Sequence, residues 1–155
     1  MPGTRRKTRA ARLPTIIGWR ERVGLPDLGL DAIAAKIDTG ARTSALHASR
    51  IRTFEDDGVL WVEFHPEHER LEDSRLCWLP VHDRRSITNT SGVPEERVII
   101  RTRLRIATHT LRVEVSLSDR SDMSFPIIIG RSALRRARLL VDSGRSWLTE
   151  PRRGG

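Results

Sequence analysis

Hydrophobic and polar positions alternate most cleanly after Ile100: Ile100, Thr102, Leu104 and Ile106 share one side of an extended chain, and Arg101, Arg103 and Arg105 take the other. "ATHT" turns the chain back into "LRVEVSL", where Leu111, Val113, Val115 and Leu117 point inward, so the region predicts a β-hairpin with one polar side. The arginines of that side are solvated, paired with Glu114, or close to an anionic ligand. Upstream, "TIIGWRERVGLPDLGLDAIAAKI" reads as short strands cut by glycine and proline turns. "ALHASRIRTF" leads into the turn "EDDG" and the strand "VLWVEFH". Residues 65–75 are polar and mostly acidic and predict a surface excursion, "LCWLPV" adds a strand, and "HDRRSITNTSGVPEER" reads as a loop. "FPIIIG" is a buried strand, "RSALRRARLL" one or two helical turns, and "DSGRSWLTE" a turn followed by a short strand. Strands dominate around one short helix, which predicts a small all-β, barrel-like domain.

At 155 residues the chain fits one domain with a real core and little room for a second lobe. A flexible basic arm (1–13), a folded domain (14–149) and a short tail (150–155) are expected. The formal charge is +8, but the arm holds five positive charges and no acid, leaving +3 on the remainder. Such a charge attracts nucleic acid, anionic membrane or acidic peptide without choosing among them. Only Lys7 and Lys36 are lysines among the 28 basic residues. That bias belongs to the source organism or to carboxylate and phosphate recognition by guanidinium forks. Cys77 is the single cysteine, so no intrachain disulfide can form; with no secretory signal and no membrane-spanning run, a cytoplasmic protein is expected.

"AAKIDTGARTSALHA" (34–48) places Asp38 between an apolar strand and a glycine turn. Short polar residues beside glycine are ordinary turn formers. Here the strand holds the turn rigid, Thr39 can hydrogen-bond to backbone or to a symmetry mate, and Gly40 permits close approach of a ligand. Two such turns meeting at a twofold axis would share one proton between two carboxylates: one activates water while its protonated partner polarises a peptide carbonyl.

The segments "KIDTGARTSALHA", "RRSITNTSGVPEERVIIRTRLRI", "LSDRSDMSFPIIIGRSAL" and "LLVDS", in that order over residues 14–149, resemble the retropepsin-like family that long carried the name ATP-dependent zinc protease. Within it the likeness is to bacterial peptidases that trim poly-glutamate tails on a ribosomal protein. The resemblance implies a closed retropepsin-like barrel, active as a homodimer with one Asp-Thr-Gly-Ala motif per chain. Asp38 would be the catalytic acid, Thr39 would brace the two active-site turns, and Gly40 and Ala41 would line the substrate backbone. "IIIGR" (127–131) resembles the hydrophobic-Gly-Arg segment that crosses behind the active-site loop. Retroviral proteases commonly carry an aspartate where this chain has Arg42, which removes the expected partner of Arg131 and suits acidic substrates. Implied partners are a second copy, a glutamate-rich tail of a ribosomal protein and, functionally, a glutamate ligase, to which any ATP requirement would belong; no cofactor or membrane is implied.

The loop from His82 to Arg97, with bends at Gly92 and Pro94, is the flap candidate, and Arg84 and Arg85 are either contacts for substrate carboxylates or surface charges. Asp142-Ser143-Gly144 is expected to be a structural turn, because too little sequence follows it to rebuild a second lobe. His65, His68, Cys77 and His82 form no compact ligand pattern, so no metal is expected. No phosphate-cradling glycine loop occurs. The alternative from another class is a nucleic-acid-binding protein gripping phosphate with its arm and hairpin, although no recognition helix, zinc finger or stacking motif supports it.

Overall fold

A computed structural model describes residues 13–67, 75–88, 91–120 and 122–149. Most of the basic arm, His68 with the rest of 68–74, and the tail lie outside them. The strands are β1 (Thr15–Gly18), β2 (Arg20–Leu25), β3 (Leu30–Asp38), β4 (Ser44–Asp56), β5 (Val59–Pro66), β6 (Cys77–Pro80), β7 (Asp83–Thr88), β8 (Pro94–Ile106), β9 (His109–Ser118), β10 (Ile127–Gly130) and β11 (Leu139–Asp142). A 3₁₀ turn spans Pro26–Leu28 and one helix, α1, spans Arg131–Arg136. The all-β expectation with one short helix holds.

In the main sheet the order is β10-β3-β2-β8-β9-β4-β5-β6, β7 joins the flank of β8, and β10 also pairs with β4, so the strand path closes into a ring. Alternation explains which faces point inside: Ile33, Ala35 and Ile37 on β3, Ile100, Leu104 and Ile106 on β8, and Val113, Val115 and Leu117 on β9 are buried. Each large aliphatic side chain so enclosed contributes about 1.5–3 kcal/mol. The hairpin read from Ile100 onward is present, with Ile106 opposite His109 across the turn at Ala107.

Three local expectations change. The presumed loop at 82–97 is an antiparallel hairpin, Asp83–Thr88 against the start of β8, with Gly92 near its tip at φ +80. Three consecutive charged residues and a single isoleucine hide it from a hydrophobic pattern. The strand expected after Asp142-Ser143-Gly144 does not form; the strand lies before the turn, as β11. Trp147 N–H donates to Arg20 O (2.9 Å), and residues 148–149 are held by Glu21, which is fully buried. Its carboxylate accepts Leu148 N–H (3.0 Å), Thr149 N–H (3.1 Å), the Thr149 hydroxyl (2.9 Å) and Gly18 N–H (2.6 Å). Those donors are therefore unavailable to a strand ladder.

The hairpin arginines Arg101, Arg103 and Arg105 are exposed, as expected of a solvated side, and Arg103 finds Asp27 instead of Glu114. Asp27 accepts both the backbone N–H (3.0 Å) and the guanidinium (2.6 and 2.9 Å) of Arg103, pinning the 3₁₀ turn to β8, while Glu114 pairs with Arg85. The Arg103 hydrogen bonds lower the Asp27 pKa to about 2.

Candidate active site

Asp38 ends β3, and the chain turns at once. One carboxylate oxygen, Oδ1, accepts Gly40 N–H at 2.9 Å, and the Asp38 carbonyl accepts Ala41 N–H at 3.2 Å, so the turn is tied to the acid that opens it. β10 runs parallel to β3 with Gly130 beside Asp38. Beyond it the chain supports the turn from behind: Arg131 N–H donates to Ala41 O (2.8 Å), Arg131 Nη1 to Gly40 O (3.1 Å), and Ser132 Oγ to Arg42 O (2.7 Å). Arg131, deprived of an aspartate partner by Arg42, thus caps the turn's carbonyl. Gly130 cannot be larger: a Cβ there would lie 2.8 Å from Thr43 C and 2.9 Å from Ala41 O. Its N–H donates to Ser44 Oγ at 3.0 Å.

The same device is built a second time. Gly144 N–H donates to Asp142 Oδ1 (3.0 Å), Arg145 N–H to Asp142 O (3.2 Å), and β1 runs parallel to β11 with Gly18 beside Asp142. Trp19 N–H donates to Arg145 O (2.9 Å), as Arg131 does to Ala41 O. A Cβ on Gly18 would fall 2.4 Å from that carbonyl. The first turn opens onto a cleft.

That cleft, of about 680 Å³, is lined by Asp38, Gly40, Ala41, Arg42 and Thr43, by Arg85 to Thr88, and by Ala45, Arg97, Ser116, Arg120 and Ile128. Asp38 is the one acid in the lining, and four arginines surround it. The hairpin of β7 and β8 therefore supplies one wall, as expected of a flap. Side chains on β7 alternate, which separates the two flap arginines: Arg85 faces the cleft, whereas Arg84 lies on the other face, donating to Thr53 Oγ1 at 3.3 Å, with Glu96 at 3.9 Å. Arg97 and Arg120 escaped sequence reading because their place depends on strand register and ring closure.

Thr39 is exposed and borders a different depression, of about 530 Å³, with Arg131, Leu134 and Leu139 to Val141. Close by in the fold, β1 and β11 expose Ile16 (58 %) and Leu140 (55 %).

Among the described residues the zinc-ligand types do not converge. Cys77 is buried with its thiol toward Leu28 O, and burial raises its pKa. His82 lies exposed, 3.7 Å from Glu114. Among the described residues no three His, Cys, Asp or Glu side chains form a metal-binding group, and no helix is long and apolar enough to cross a membrane.

Known proteins resemble this chain in sequence and in fold. A crystal structure of a protein of unknown function from Legionella pneumophila subsp. pneumophila strain Philadelphia 1 superposes with a TM-score of 0.74 at 24% identity, over 88% of this chain and 98% of that one. Proteins named "Probable alpha-L-glutamate ligase" from Desulfotalea psychrophila and Shewanella halifaxensis are 41% and 37% identical over 129 and 134 residues. These alignments take in 82% and 85% of this chain, which spans only 28% and 29% of the relatives' length. A model of the RimB-like family, described as retropepsin-like aspartic endopeptidase RimB, matches residues 16–152. With its Asp-Thr-Gly turn braced from behind by a Gly-Arg crossing, the chain belongs to the RimB-like family of retropepsin-like aspartic endopeptidases.

Proposed function

We propose that this chain is an aspartic endopeptidase of glutamate-rich chains, acting as a symmetric homodimer, with the poly-glutamate tail of a ribosomal protein as its substrate. The observation that carries the reading is the charge of the cleft: a single carboxylate at the end of a rigid strand, faced by Arg42, Arg85, Arg97 and Arg120. An acidic peptide is drawn to such a lining, and its neutral peptide bond comes to rest over Asp38.

One carboxylate per chain leaves the chemistry half built. Two copies related by a twofold axis bring two Asp38 side chains together, and at close range one holds a proton. The ionised member takes a proton from water, whose oxygen attacks the peptide carbonyl carbon, while the protonated member donates to the carbonyl oxygen. Collapse of the tetrahedral intermediate breaks the C–N bond as the nitrogen takes a proton. The exposed Thr39 and the apolar edge at Ile16 and Leu140 support a partner on that side. Homology to segments of longer chains named as α-L-glutamate ligases supports a functional link to glutamate addition.

Turnover of defined α-linked and γ-linked glutamate oligomers by the wild type and by Asp38→Asn, with products identified by mass, tests the reading. Loss of cleavage in the folded variant is expected; unchanged cleavage, or tight nucleic-acid binding without any peptide turnover, overturns it.

A further inference from the structure

In the β7–β8 hairpin, Arg85 and Arg97 are directly opposed. Opposed residues of an antiparallel pair project from the same face, with Cα atoms about 5 Å apart, and like charges so placed destabilise the pairing. Both border the Asp38 cleft, and the Arg97 side chain is only 8% exposed. A second opposed arginine pair, Arg103 and Arg112 of the β8–β9 hairpin, lies outside the cleft lining.

Each guanidinium is held along one edge. Asp83 accepts Arg85 Nε at 2.7 Å and Glu114 accepts its Nη2, while Glu95 accepts Arg97 Nε at 3.3 Å and Nη2 at 3.1 Å. Neither Nη1 has a partner among the described residues. The three acids are 37–46% exposed, so water screens their charge, whereas Arg97 is shielded. We propose that Arg85 and Arg97 form a two-arginine receptor for one substrate carboxylate, with Asp83, Glu95 and Glu114 as positioning residues. The receptor rests on the acidic-peptide reading and names a specificity subsite within it. A carboxylate between the two guanidiniums accepts charge-assisted bonds from both and relieves their repulsion, and the clamped forks lose little further freedom on binding.

Calorimetric binding of a glutamate oligomer and a length-matched glutamine oligomer, both in the Asp38→Asn background, tests the receptor. Arg97→Gln should weaken the glutamate oligomer about tenfold or more and leave the glutamine oligomer unchanged. Arg85→Gln should do the same, and the double variant should lose less than the sum, since one carboxylate uses both. Equal weakening of both oligomers, or undiminished glutamate binding in a folded Arg97→Gln chain, overturns the receptor. If Arg97→Gln does not fold, Arg97→Lys supplies the readout, because it keeps the charge and loses the planar fork: selective weakening supports the receptor and retained affinity overturns it. Failure of the wild type to cut any peptide counts against the peptidase reading alone, since these binding measurements need no cleavage.

Discussion

Asp38 takes its place from its neighbours: a strand end, a glycine N–H on its own Oδ1 and a crossing arginine on the turn's carbonyl. Asparagine fits that turn but cannot carry charge or exchange the proton, so Asp38→Asn should melt like the wild type and release no product. The flap arginines should separate. Arg84→Gln, on the outer face, should leave the preference for glutamate over neutral peptides intact in competition assays. Arg42→Gln, on the cleft, should reduce that preference, with added salt narrowing the difference. Asp27 gives a stability test. Its pKa falls from 3.8 to about 2 on folding, so its contribution is present above 3.8 and disappears as pH drops toward about 2. Asp27→Asn should therefore cost about 1 kcal/mol at neutral pH, with the gap closing in acid-titrated denaturation curves. Asp38 and Gly40 are legible in sequence because they are contiguous. Arg97 is not, because it gains meaning only from Arg85 across a strand register that no local pattern reveals.

At the level of elements, the long alternation of β8 and β9 announces itself, since one face is buried and the other wet. β7 is too short and too polar for that signal. Residues 145–149 mislead in the other direction: their extended, partly apolar look ends on a buried carboxylate instead of a neighbouring strand. Glu21→Gln replaces one acceptor oxygen with an amide that faces N–H donors, which should lower unfolding stability by roughly 3 kcal/mol and increase amide exchange at Leu148 and Thr149. Gly130→Ala pushes a methyl group against the backbone of Ala41 and Thr43. It should cost about 1–3 kcal/mol in a denaturant titration and depress turnover beyond the loss of folded protein, because the atoms it displaces belong to the Asp38 turn.

For the whole molecule, the family motifs carry the fold class, yet the long-range parallel pairings are silent in the sequence. β10 beside β3, and β11 beside β1, are parallel partners joined by no short connection, so nothing local specifies them. The proposed assembly predicts sedimentation as a dimer at concentrations where turnover is measured, and an exclusively monomeric active species would contradict it. Asp142→Asn should keep turnover, since its turn lies outside the cleft lining despite repeating three of the Asp38 turn's hydrogen bonds.

Ring closure through β10 also sets a schedule. During synthesis Asp38 is made about ninety residues before Gly130 and Arg131, and until those arrive nothing holds the turn from behind. Contacts so distant along the chain form late in folding, after the loop between them has closed. An unfinished chain on the ribosome thus carries the acid without the geometry to use it. The braced turn is a product of the closed ring and not of the strand that carries the acid.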